Sequence, residues 1–197
     1  MDLADRQGME AVTMRTLARA LRVEAMSLYH HLENREALLD GMVEAVFAEF
    51  VPPRLDEPWK VAMRRRAVAA RDALRRHPWA ARLTLSRVAT GPAALHYVDA
   101  TLACLTAAGF SYAEADHAWS AIDHHIYGFV LQEASFPFRP EEYATQAARY
   151  LPLLAGQNLP HLEQLTRLVA TGAHSGVSDF FFGLDLILDG LERKLRR

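Results

Sequence analysis

A chain of 197 residues, 51% of them apolar, is long enough to bury a substantial core and too hydrophobic to be disordered throughout. The net charge of −2 excludes a surface that is basic as a whole, and the single cysteine, Cys104, excludes an internal disulfide. No apolar run approaches the ~20 residues of a membrane span, and the N-terminus lacks a signal-peptide pattern, so a soluble cytoplasmic protein is expected.

Apolar residues recur at spacings of three and four, without alternating β-branched runs or hairpin turns, and the expected fold class is all-α. A short helix is predicted over about 2–7, stopped by Gly8. Thr13 can cap a second, over about 14–21, in which Leu17, Ala18 and Leu21 share a face. A third begins near Ala25 after only three residues and turns Leu28 and Leu32 inward. Two short helices so closely joined form a helix-turn-helix, whose second member fits the major groove of B-DNA. Asn34 caps a fourth helix reaching about Val51, where Pro52-Pro53 break the chain. Residues 1–50 are therefore expected to form a helix-turn-helix DNA-binding domain.

Residues 51–197 are expected to form a larger helical domain for effector binding and dimerisation. Helices are predicted over about 59–76, 79–86 and 92–108, with Pro92 at the start of the last and Gly109 at its end. Ser111 and Glu114 have capping-box spacing, opening a long helix to about Ala134. Weaker segments follow at about 141–153 and 161–173, and a final helix starts near Ser178. In that helix Phe181, Leu184, Leu188 and Leu191 lie on an apolar stripe, and Ala121 and Gly128 allow close approach along the long helix. These six are the expected dimer interface, half of an intersubunit four-helix bundle.

Residues 1–50 hold five arginines against nine acidic residues, which argues against a DNA partner unless the charge is segregated. It is: Arg15, Arg19 and Arg22 form one stripe, while Glu36, Asp40 and Glu44 form another on the following helix. His117 and His124, seven apart, are about 10 Å apart along a helix, too far for one ion, so no metal is expected. No nucleophile–base–orienter set and no cofactor motif stands out, so neither an enzyme nor a cofactor is expected.

Thr13-Met14-Arg15-x-Leu17-Ala18, Leu21-x-Val23, Ser27-Leu28-Tyr29-x-His31-Leu32 and Asn34-Arg35-Glu36-x-Leu38-Leu39 together resemble the TetR family of bacterial transcriptional regulators. Gly109-Phe110-Ser111 and the run from Phe182 to Leu191 resemble the branch containing the tetracycline repressor. The family has a longer first helix and commonly a glycine where Arg22 stands. The resemblance implies a dimeric repressor on a palindromic double-stranded operator, released by a small organic effector; a dimeric helical interaction protein that has lost DNA binding is the alternative.

With Leu28 and Leu32 inward, Ala25, Met26, Tyr29 and His30 face outward, the first two suited to a thymine methyl. Arg15 is the candidate for a guanine contact, and Thr13, Ser27, Tyr29, His30 and Arg35 for phosphate. His31 is expected to pack against the fourth helix. The resemblance carries the effector site onto Arg87, Val98, Thr101, Leu102, Trp119 and Asp123. Arg87 stands where the tetracycline repressor has a drug-binding histidine, and Gln132 where it has an acidic metal partner, so tetracycline–magnesium is not expected. An arginine in an apolar cavity would favour an anionic or carbonyl-bearing ligand.

Overall fold

The computed structural model describes residues 1–196, and every regular element among them is helical. The opening helix α1 (Asp2–Gln7) ends at Gly8, whose φ of 78° suits a residue without a Cβ. Helix α2 (Met14–Leu21) starts at Thr13, whose hydroxyl accepts from the Thr16 amide while Thr16 accepts from the Thr13 amide. It stops at Arg22, which adopts the left-handed region with φ 58°. The third, α3 (Ala25–Tyr29), has only five residues. The fourth, α4 (Arg35–Phe47), is capped by Asn34 and buries Leu39, Met42, Val43, Val46 and Phe47.

Beyond Pro58 comes α5 (Trp59–Arg76), followed by α6 (Ala80–Leu85) and α7 (Pro92–Ala107). Gly109, with φ 109°, ends α7, and Ser111 with Glu114 closes the predicted capping box on α8 (Tyr112–Ser135). A 3-10 turn (Pro140–Glu142) leads into α9 (Tyr143–Leu154), which tolerates Pro152 in its last turn, and α10 (Pro160–Ala170) and α11 (Phe180–Leu195) complete the chain.

By packing, the chain divides into two compact units, not at the expected boundary near residue 50. The larger comprises Met1–Ala134 and the stretch from Phe182 onward; the smaller is Ser135–Phe181. The reason lies on α4, which packs on both α6 and α7 and knits the first fifty residues into the larger unit. Phe47, Phe50 and Tyr97 form an aromatic cluster across that contact, with ring centroids 5.0 to 6.0 Å apart. Met63, Leu74, Leu105, Ile122, Ile126, Leu184 and Leu188 fill the rest of this core. In the smaller unit α9 packs against α10, which has no buried residue.

Candidate DNA-reading surface and effector region

Helices α2 and α3 pack together through a turn in which the Val23 amide donates to the Ala18 carbonyl. Leu28 is buried beneath α3, so the opposite side of that short helix is free. Met26 is 71% exposed and Tyr29 48%, His30 is exposed, and Ala25 and Ser27 are half-buried. Thr13, Arg15 and Arg35 are exposed nearby in sequence, although the Thr13 hydroxyl oxygen is engaged by its own cap. His31 is exposed rather than packed on α4, because α3 ends at Tyr29 and the chain turns before His31.

The acidic stripe of α4 is not a free solvated face. Arg87 donates to Glu36 and, at 2.5 Å, to Asp40. Glu44 accepts from the Ala93 and Ala94 amides at the start of α7, so its carboxylate sits where a helix N-terminus favours an anion. Gly91 makes room for it: a Cβ there would overlap the Glu44 carboxylate. The negative charge that counted against a DNA partner is thus spent largely inside the protein. This corrects the expected role of Arg87. It lies between α4 and the α6–α7 loop, paired with two carboxylates, and cannot be the lone cation of an apolar cavity.

The arginine that does lie in the interior is Arg66, on α5, whose side chain is 0% exposed. Its Nε donates to Thr101 Oγ1 at 2.9 Å and its Nη1 to Asp123 Oδ1 at 2.7 Å. The guanidinium lies 4.5 Å from the centre of the Tyr97 ring, and the Trp119 indole donates to Asp123 Oδ2 at 2.6 Å. Burial works against the charge on Arg66, but Tyr97 and Asp123 outweigh it and raise its pKa. Burial likewise pushes the Tyr97 and Tyr127 hydroxyls up, above the range where they ionise in water. Arg66 Nη2 and the Tyr97 hydroxyl are both buried without a hydrogen-bond partner among the described residues.

Of the six effector candidates, Thr101, Trp119 and Asp123 are therefore joined through Arg66, and Val98 and Leu102 lie half-buried on α7. Arg66 is absent from the expected set because Arg64, Arg65 and Arg66 read as one solvated run. The signal was nevertheless there: Ala62, Met63, Arg66, Ala67, Ala70, Ala73 and Leu74 make one helical stripe, all of it buried.

The dimer candidates also divide. Ala121 and Leu191 are half-buried, Gly128 is exposed and Phe181 is 38% exposed. Leu184 and Leu188 are 0% exposed, a correction to the expected interface: their own chain already covers them. Helix α11 is held to α5 by Lys60 with Asp189 and Glu192, and by Arg64 with Asp185. It is held close to α8 because Gly183 leaves space for the His125 ring; a Cβ there would come within 2.5 Å of it. The outward side carries Phe182, 68% exposed, and Leu186, 56% exposed. Among the described residues no cluster of three metal-ligating side chains occurs, and no single helix is long and apolar enough to cross a membrane.

A short exposed reading helix joined to a larger helical region defines a helix-turn-helix regulator of transcription. Residues 1–42 match the family described as bacterial regulatory proteins, tetR family, and residues 52–195 match the tetracyclin repressor-like C-terminal domain. The chain is 33% identical to the class C tetracycline repressor protein of Escherichia coli over 202 residues, covering 98% of this chain and 87% of that protein. ActR of Streptomyces coelicolor, solved with actinorhodin, superposes with a TM-score of 0.83 at 26% identity, covering 100% of this chain and 94% of that one. BioQ, solved on its double-stranded DNA operator, gives 0.65 at 25% identity, covering 96% and 91%. The chain belongs to the TetR family and is a ligand-responsive transcriptional repressor.

Proposed function

We propose that this repressor acts in the cytoplasm as a homodimer on a palindromic duplex operator, reading it with residues 1–50 and sensing a small organic effector with residues 51–197. The carrying observation is the outward side of α3, where Met26, Tyr29 and His30 are exposed on a helix whose other side is anchored by Leu28. Ala25 and Met26 meet base edges, Arg15 takes a guanine, and Thr13, Ser27, Tyr29, His30 and Arg35 fix the register on phosphates. Two copies are needed because one such helix spans too few base pairs for useful specificity. They meet through Ala121 and Gly128 on α8 and the uncovered side of α11, which carries Phe181, Phe182, Leu186 and Leu191.

The effector binds beside Val98, Leu102, Trp119 and Asp123, over the Arg66 pair. Asp123 already balances the charge of Arg66, which favours an uncharged ligand, since a second anion would leave net charge in a low-dielectric interior. ActR and its actinorhodin complex show that a relative accommodates an organic molecule. Ligand binding shifts the Arg87 and Glu44 contacts that tie α4 to the α6–α7 loop, and a coupling of about 1–3 kcal/mol changes operator affinity about 5–150-fold.

The test is the double variant Arg15→Ala, Tyr29→Ala in a gel-shift series on the protein's own promoter fragment, with the dimer checked by sedimentation. Loss of the shifted band with the dimer intact is expected. Binding as tight as that of the unaltered protein would remove the assignment of the reading surface.

A further inference from the structure

His77 closes α5 just before Pro78 and is 8% exposed. Its Nδ1 lies 2.8 Å from Asp5 Oδ1, on α1, and its Nε2 lies 2.9 Å from Glu49 Oε1, just past α4. A carboxylate oxygen only accepts, so each ring nitrogen must donate, and a ring that donates from both is an imidazolium. The surroundings maintain the two carboxylates in their charged form. The Trp79 indole donates to Asp5 at 2.6 Å, and Arg76 donates to Glu49 at 2.7 Å. Burial opposes ionisation of Asp5, but the His77 and Trp79 hydrogen bonds outweigh it and hold its carboxyl below the usual range; the Met1 amino group acts in the same sense. Arg76 foremost, then His77, does the same for Glu49 against its burial. The charged and titratable groups around the ring are thus Asp5 and the Met1 amino group from α1, Glu49 from the end of α4, and Arg76 from α5.

We propose that His77 is a positioning residue for DNA reading: protonated, it fastens α1 of the reading domain to the junction of α4, α5 and α6, and operator affinity depends on that proton. The proposal rests on the DNA-reading assignment above for its functional half only. Loss of the ring proton turns one nitrogen into a lone pair facing a carboxylate, so one of the two fastenings becomes repulsive. The fastening therefore exists in a window. It fails on the acid side as Asp5 and Glu49 take up protons, and on the alkaline side as the ring gives one up.

The experiment compares the full-length protein with His77→Gln and Asp5→Asn by hydrogen exchange, without DNA, from pH 5.5 to 8.5 with intrinsic rates divided out. In the unaltered protein, protection of the Asp5 and Gly8 amides, which close α1 on the Met1 and Ala4 carbonyls, should fall about tenfold across the range, the scale of one charge-assisted hydrogen bond. In both variants it should be low and independent of pH, while protection around Ile122 and Ile126 on α8 stays unchanged. Operator affinity should fall over the same pH range in the unaltered protein and lose that component in His77→Gln, which retains the exposed His30 and His31. Protection of α1 that ignores pH, or that follows pH equally in His77→Gln, overturns the fastening. A pH-dependent α1 with operator affinity unaffected by His77→Gln overturns the positioning role. Failure of every form to bind DNA would instead remove the reading assignment and leave the exchange result standing.

Discussion

Replacing Arg66 by methionine removes a fully buried cation and leaves its partner behind. Asp123 is 19% exposed, so water reaches it only in part, and Thr101, which is fully buried, loses the Arg66 donor as well. Breaking a buried ion pair from one side costs about 3–5 kcal/mol. The partial exposure of Asp123 places this case at the low end, and the methionine fills the space of the aliphatic stem while removing the unpartnered Nη2. A loss of about 3 kcal/mol is expected, equivalent to about 6–12 °C in Tm for a chain of this size. Urea titration at matched protein concentration is the appropriate assay, because dimerisation makes apparent stability depend on concentration. The double variant Arg66→Met, Asp123→Asn retains an acceptor for Trp119 and carries no orphaned charge, so it should recover about half of the loss. If Arg66→Met lies within about 1 kcal/mol of the unaltered protein, or the double variant is less stable than the single one, the pair is not the polar anchor described above.

Gly183→Ala should destabilise by about 1–2 kcal/mol despite the better helix propensity of alanine, because the Cβ meets the His125 ring; a thermal melt showing a gain would refute the close approach, and adding His125→Ala should restore much of the loss. Arg22→Gly relieves a left-handed residue and should raise stability by about 1 kcal/mol by thermal melt. If Arg22 also touches a phosphate, the same change lowers the salt dependence of operator binding by about one counterion, read from affinity against salt concentration. Asp5 and Glu49 have lowered pKa values in the fold, so their contribution is present above the unfolded values and lost as pH falls through the folded ones. Stability measured from about pH 5 downward should accordingly decline less steeply in Asp5→Asn than in the unaltered protein.

Which features were legible in the sequence follows from how far away their partners lie. Thr13, Asn34, Pro92, Gly109 and the Ser111–Glu114 box act within one turn of the chain, and each helix start or stop they announced is present. The left-handed Arg22 was also legible, from the glycine that commonly stands there in the family. Arg87, Leu184 and Leu188 were misplaced because their surroundings come from distant segments: Arg87 is claimed by Glu36 and Asp40, some fifty residues earlier, and the two leucines are covered by their own chain. The length of α3 was overread for a related reason. Leu28 and Leu32 have helical spacing, but the five-residue helix ends at Tyr29, and a turn puts Leu32 beneath it. Arg66 lay in an arginine-rich run, and only its register with Met63 and Ala70 distinguishes it from Arg64 and Arg65.

The first turn of α7 has a bearing on protein engineering. Gly91 has no side chain with which to cap that turn, and the carboxylate that serves in its place belongs to Glu44, before the boundary at which one would naturally cut the gene. A sensor fragment beginning at residue 51 would start with frayed backbone amides at the base of its own ligand site. Chimeras that graft this sensor onto another reader should therefore join ahead of Arg35, so that α4 travels with the module it completes.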